Sequence, residues 1–291
     1  MLSPIQHLQS IGSNFYIKRE DLINGLFNGI KERKIRSLIK AIEEKKPKVV
    51  FLKGSLYSNF FLAIVPKLRT LGIPFKLFTN QLHIAHPEGN YFFLKLLTNP
   101  DEILPIDSLP PVLTDDIFLV EEGGDHLASY LGLMSLGEEI LTQMKLMQLE
   151  FDEIWIDAGT CSTAIVLLYS LSQAKIATTL KIVSMKEDEK GFLAKKEKIF
   201  QALNSSLKKE LKETIPFEVI RPVTAKSFGS TNTQVFETIL NFARKTGIIL
   251  DPVYSSKLFL TLKECIQEKK ILMIHSGGNL SLTGFKEKLK L

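Results

Sequence analysis

Four places in this chain carry residues whose types and spacing could do chemistry together. In the stretch 28–42, NGIKERKIRSLIKAI, the residues Ile35, Leu38, Ile39 and Ile42 recur at i, i+3, i+4 and i+7, the stripe of an amphipathic helix. At about 100° per residue, Lys31 falls roughly 30° from the centre of that stripe, while Arg33, Arg36 and Lys40 fall on the polar side. A lysine so placed has two readings. It can snorkel to water from the start of the helix, or it can be a desolvated amine whose lowered pKa readies it for a Schiff base. The other three places are the junctions 52–60 (LKGSLYSNF), 157–164 (DAGTCSTA) and 275–279 (HSGGN). Each puts small or hydroxyl-bearing residues after an apolar run, where backbone N–H groups and hydroxyls can gather an anion. Small residues at strand ends also serve simply as turns. Three such junctions beside a lysine on a core-facing stripe favour a site that joins amine and anion chemistry.

The elements that must hold these residues are short buried strands alternating with helices. KVVFLKG, PFKLFTN, EIWIDAG, LKIVSMK and KILMIHSGG are apolar runs of strand length. YSNFFLAIVPKLRTLG, TAIVLLYSLSQA and NTQVFETILNFARKTG have helical patterning, with Pro66 expected to kink or end the first. Alternation of this kind implies βαβ units and mostly parallel sheet, in which ligands sit at the carboxyl ends of strands. The composition agrees: 291 residues, 45% hydrophobic and 24% charged, suit two lobes or one large domain with a nested insertion.

Several functions are disfavoured. No apolar run reaches the length of a transmembrane helix, so no membrane association is expected. The first residues lack a basic segment followed by an apolar one, so no signal peptide is expected. Two cysteines, Cys161 and Cys265, do not make a disulfide framework and fit a reducing, cytoplasmic setting. The net charge of +5 is spread through segments such as KEDEKGFLAKKEKIF, where bases and acids mix at helical spacing. These read as solvated helix faces rather than a nucleic-acid surface. His83 and His86 form a His-x-x-His without further ligand spacing, so no metal site is expected.

Taken in order, the motifs resemble those of the fold-type II pyridoxal-phosphate enzymes, in the branch of D-cysteine desulfhydrase and 1-aminocyclopropane-1-carboxylate deaminase. FYIKREDL (15–22) resembles the opening strand and turn of that branch. GIKERKI (29–35) is similar to its Gly-Asn-Lys-x-Arg-Lys-Leu motif, with the cofactor lysine at Lys31. GSLYSNF (54–60) resembles its Gly-x-x-Gln-Ser-Asn-His segment. EGNYFFLKLL (88–97), EEGGDHLASYLG (121–132), ARKTGIILDPVYSSK (243–257) and IHSGGN (274–279) match further segments. Ile30, Tyr57 and Phe60 depart from the pattern, and the phosphate loop, usually Gly-Ser-Gly-Gly-Thr, reads Gly159-Thr160-Cys161-Ser162-Thr163.

The resemblance implies a two-domain α/β fold like the tryptophan synthase β chain, with mostly parallel twisted sheets and helices on both faces. A large discontinuous domain, 1–45 and 138–291, would bind pyridoxal 5'-phosphate, and a small nested domain would span 46–137. It implies a homodimer and a small amino acid as substrate. Lys31 would carry the cofactor and act as base, Gly159, Thr160, Cys161, Ser162 and Thr163 would hold its phosphate, and Asn59 its phenolic oxygen. Ser58 would face the substrate or cap the helix that follows it. Tyr254 would lie beside the ring or in the core. Ser276 would meet the pyridine nitrogen, and Ser255 stands where the deaminase pattern has a glutamate. A hydroxyl rather than a carboxylate there implies a neutral ring, which suits β-elimination and so a desulfhydrase-like activity yielding a 2-oxo acid and ammonia. The alternatives are the cyclopropane deaminase and a degenerate member that binds ligand without turnover.

Overall fold

The computed structural model describes residues 2–23, 25, 27, 29–82, 87–174 and 176–289; His83 and His86 lie outside them. In chain order the elements are β1 (Ile5–His7), β2 (Phe15–Arg19), α1 (Lys31–Lys45), β3 (Val49–Lys53), α2 (Asn59–Thr70), β4 (Phe75–Thr79) and α3 (Gly89–Leu97). Then follow β5 (Ile103–Pro105), β6 (Ile117–Val120), α4 (Leu127–Met147), β7 (Glu153–Ala158), α5 (Ser162–Ser172), β8 (Thr179–Ser184) and α6 (Glu189–Leu207). The last are β9 (Phe217–Ile220), α7 (Thr233–Thr246), α8 (Ser255–Leu262), β10 (Ile271–His275) and a 3-10 segment, Asn279–Lys288. All five expected strands form. The helix containing Pro66 runs on to Thr70.

The strands make two sheets. One has six strands in the order β1-β2-β10-β7-β8-β9, parallel except where β1 runs antiparallel to β2. The other has four parallel strands in the order β5-β4-β3-β6. β7 is buried along its whole length, as expected of a parallel strand covered on both faces. One face of the large sheet packs with α4, α5 and α6 through Leu136, Ile140, Ile165, Leu168 and Phe192. The other packs with α7 and α8 through Val235, Ile239, Phe242 and Leu258. The chain leaves β7 through α5 on the first face and returns to β10 from α7 and α8 on the second. The neighbouring strands β7 and β10 therefore bound a topological switch point, where a crevice opens at their carboxyl ends.

Helix α1 lies at the seam. Its stripe Ile35, Leu38 and Ile42 packs into the core of the small sheet. The expectation that Arg33 faces solvent is corrected: Arg33 is buried. Its guanidinium donates to Glu20 at 2.6 and 2.8 Å and to Glu139 of α4 at 2.8 Å. Lys18 of β2 donates to the same Glu139 at 2.5 Å. Because α1 is covered by α4 as well as by the small sheet, the polar side of its first turn is also enclosed, and the Arg33 charge survives burial by pairing.

Candidate active site

A cavity of about 630 Å³ lies between the two sheets, at the carboxyl ends of β3, β7 and β10. Its wall includes Lys31 at the start of α1 and Tyr57, Ser58 and Asn59 at the start of α2. It continues over Gly159, Thr160, Cys161 and Thr163 between β7 and α5, Tyr254 ahead of α8, and Ser276 after β10. Asp157, at the end of β7, also reaches it. Nine of the ten residues singled out from the sequence line one cavity. The exception is Ser162, which is buried behind the wall.

Close approach of backbone sets the position of Lys31. The Ile30 N–H donates to the Ser276 carbonyl at 3.0 Å. Gly29 has φ +54°, and a Cβ there would stand 2.6 Å from that carbonyl oxygen, so glycine is required for α1 to start against the β10 turn. Burial pushes the Lys31 amine below the usual lysine range, against the partial opposition of Asp157 and Asp251. Lys31 forms part of the cavity wall.

The loop 159–163 has lost two glycines of the pattern, and the structure shows the consequence. Cys161 adopts the left-handed conformation, φ +69°, at the N-cap of α5, with no side-chain cap. The first-turn amides of a helix have no intrahelical acceptor, and here Thr163 and Ala164 of that turn line the cavity with Thr160. Behind the loop lies a residue that sequence reading passed over. The Lys34 ammonium donates to Ser162 Oγ at 2.7 Å and to the Gly123 carbonyl at 2.8 Å. Burial and the neighbouring Lys31 pull its pKa down to about 7. A sequence signal existed, since Lys34 is three residues from Lys31 and shares its helix face.

Ser58 caps α2: its Oγ accepts from the N–H groups of Phe60 at 3.1 Å and Phe61 at 3.4 Å, while the residue also lines the cavity. Asn90 Nδ2 donates to Asn59 Oδ1 at 2.7 Å. The Asn59 amide nitrogen lies 2.8 Å from where a Cβ on Gly278 would stand. Tyr254 has its phenol held in the protonated form by burial and by Asp157, Asp251 and Glu122. Ser255, by contrast, is buried away from the wall, where its Oγ donates to Asp251 at 2.6 Å. His275 is buried, with Nε2 3.0 Å from the Ile249 carbonyl, and His126 caps α4 through the Ala128 N–H at 3.1 Å. Neither histidine lines the cavity. Among the described residues no helix is long and apolar enough to cross a membrane.

The second residue not singled out is Asp157. Ser276 Oγ donates to its Oδ1 at 2.9 Å. Burial, reinforced by Asp251, raises its pKa to about 7, against the Ser276 hydrogen bond and Lys31. Its signal in the sequence was an acid at the end of a strand too apolar to leave it in water.

A lysine, a helix N-terminus without a side-chain cap and several polar side chains thus line one cleft of a two-sheet α/β protein. Comparison with known proteins narrows the class. No family model matches the chain. A Thermotoga maritima protein provisionally named as a 1-aminocyclopropane-1-carboxylate deaminase is 26% identical over 96% of this chain and 95% of its own length. The D-cysteine desulfhydrase of Serratia proteamaculans is 25% identical over 94% of this chain and 89% of its own. Among solved structures, an ACC deaminase homologue superposes with a TM-score of 0.83 at 24% identity, covering 99% of this chain and 93% of that one. A pyridoxal 5'-phosphate-dependent aspartate racemase superposes at 0.61 with 14% identity, covering 96% and 91%. The chain thus has the α/β fold of these enzymes, and its homologues along nearly its whole length carry desulfhydrase and deaminase names.

Proposed function

We propose that the chain is a pyridoxal-phosphate-dependent lyase that converts a small β-substituted amino acid to a 2-oxo acid and ammonia, as the relatives named D-cysteine desulfhydrase do by their name. The observation that carries this reading is that Lys31 lines the same cavity as the start of α5, whose N-cap has no side-chain bond. The residues present fit the cofactor. Lys31 would hold it, and the α5 amides with Thr160 and Thr163 would bind its phosphate. The Lys34 charge behind the loop, acting through Ser162, offsets the lost glycines. Asn59 would donate to its phenolic oxygen and Ser276 would meet its ring nitrogen. Bound there, the cofactor supplies an electron sink for charge developing at the substrate Cα.

The chain's own residues then move protons and orient groups. The neutral Lys31 amine takes the Cα proton, for which its depressed pKa suits it. The protonated phenol of Tyr254 stands ready to donate to a departing β-substituent. Ser58, fixed by its capping bonds, presents its oxygen beside the start of α2, where a substrate carboxylate is favoured.

The nested unit 46–137 is part of this reading, supported by the four-stranded sheet, whose strands fall between residues 49 and 120. A homodimer and a cytoplasmic setting also belong to it. Two free cysteines support the setting, and sedimentation of purified protein tests the dimer. The activity is tested with D-cysteine, L-cysteine, β-chloro-D-alanine, D-serine and 1-aminocyclopropane-1-carboxylate on cofactor-loaded protein. Pyruvate from the β-substituted substrates is expected. Release of 2-oxobutyrate from the cyclopropane alone would replace this reading with the deaminase.

A further inference from the structure

We propose that Asp157 sets the protonation of the cofactor's ring nitrogen by fixing Ser276 as a hydrogen-bond acceptor, so that this site holds a protonated ring. The inference rests on the cofactor reading above and concerns a residue outside the motifs that support it. A serine beside a pyridine nitrogen has two choices. It can donate its proton to a neutral nitrogen, or accept a proton from an N–H. In this chain Ser276 Oγ lies 2.9 Å from Asp157 Oδ1; with that carboxyl ionised the hydroxyl donates to it, and what it offers the cavity is a lone pair. Only an N–H fits that lone pair. The result is the reverse of the neutral ring expected from a lone hydroxyl, so the elimination reading then rests on the Lys31 cleft and the relatives' names and not on a neutral ring.

The carboxylate that the position after Tyr254 lacks is thereby supplied from the neighbouring strand. Ser255, at that position, is spent on the Asp251 cap and does not reach the cavity. Asp157 and Ser276 flank the switch-point crevice, one at the end of β7 and one just past β10. One proton is shared along the line. With Asp157 ionised, Ser276 donates to it and accepts from the ring N–H. With that proton moved back, Asp157 carries the acid O–H, Ser276 donates to the ring, and the nitrogen is neutral. Both arrangements hold the same number of protons, and the surroundings choose between them. Burial and Asp251 ahead of α8 disfavour the carboxylate, whereas Lys31 of α1 and the positive charge of a ring N–H favour it. Tyr254, the remaining titratable group facing Asp157, is held uncharged. The carboxyl's pKa of about 7 in the protein alone leaves it able to respond to a ring proton.

Asp157 is a positioning residue, and its test reads the ring and not turnover. The protein is loaded with pyridoxal phosphate labelled with ¹⁵N in the ring, and the nitrogen resonance is followed from pH 6 to 9 in native protein, Asp157→Asn and Ser276→Ala. Retained visible absorbance certifies loading. The expected result is a pyridinium-type resonance in native protein at pH 7 to 8, and a shift toward the neutral-pyridine position in both variants. Asparagine keeps the size of Asp157. Should either variant fail to fold, the native resonance and the other variant still decide. A neutral nitrogen in native protein, or a protonated one unchanged in the variants, overturns the proposal while leaving the cofactor assignment standing. Absence of bound cofactor in native protein overturns both.

Discussion

The Lys34 ammonium donates to Ser162 Oγ at 2.7 Å, joining the first turn of α1 to the first turn of α5. A buried amine thus stands directly behind the loop proposed to hold a phosphate, and with its pKa at about 7 a bound anion would favour its charged form. In a low-dielectric setting it acts on an anion far more strongly than a surface lysine would. Replacing Lys34 with Met keeps the length and removes the charge. Cofactor affinity is expected to fall by about 1.5–3 kcal/mol, the scale of a hydrogen bond to a charged group. Equilibrium titration followed by visible absorbance measures it, and an unchanged Kd would remove Lys34 from the phosphate site.

The same lysine makes a pH prediction for protein without cofactor. Its folded pKa is lowered to about 7, while in the unfolded chain it titrates near 10.5. Below pH 7 both states bind the proton and the burial cost is full. Between pH 7 and 10 the unfolded state binds more protons, so stability rises with pH. Urea midpoints should therefore show Lys34→Met more stable than native at pH 7, with the gap narrowing at pH 9. A gap independent of pH would show that the amine does not titrate in this way.

Cys161 occupies a left-handed backbone position, φ +69°. Such a conformation costs a side-chain-bearing residue roughly 1–2 kcal/mol. A β-branched residue fits it worst. Cys161→Gly should leave stability within about 1 kcal/mol of native, since relief of strain is offset by lost burial and a freer unfolded chain. Cys161→Val should destabilise by about 2 kcal/mol or more. The thiol is buried and its pKa is pushed up to about 11, so iodoacetamide should modify it only on unfolding. Rapid labelling of the native protein at Cys161 would contradict this loop geometry.

The network of Lys18, Glu139, Arg33 and Glu20 anchors the start of α1 against β2 and α4. Removing one partner leaves buried charges uncompensated, at a cost of about 3–5 kcal/mol. Arg33→Met should lower the urea midpoint accordingly. A change below about 1 kcal/mol would mean that solvent reaches the network.

How much of this could be read in the sequence follows from how each part is stabilised. Strands β3, β4, β7, β8 and β10 were legible because parallel strands covered on both faces must be nearly continuous apolar runs. The short β5 and β9 were not, since few residues carry their pattern. The site lysine was legible because its angle on α1 conflicted with its charge. Arg33 was misplaced on the solvent side because periodicity describes one helix and not what covers it; α4, whose Glu139 lies 106 residues later, encloses that side. Lys34 and Asp157 went unread for a related reason. Their meaning lies in partners brought by the fold, Ser162 at 128 and Ser276 at 119 residues' separation.

The central claim is that Lys31 is the residue that engages pyridoxal phosphate in the cleft between the two sheets. Its most direct test is borohydride reduction of cofactor-loaded protein, followed by peptide mass mapping. The account predicts a single reduced adduct on Lys31, lost in Lys31→Ala. An adduct on Lys34, Lys53 or Lys257 instead, or none at all, would contradict it.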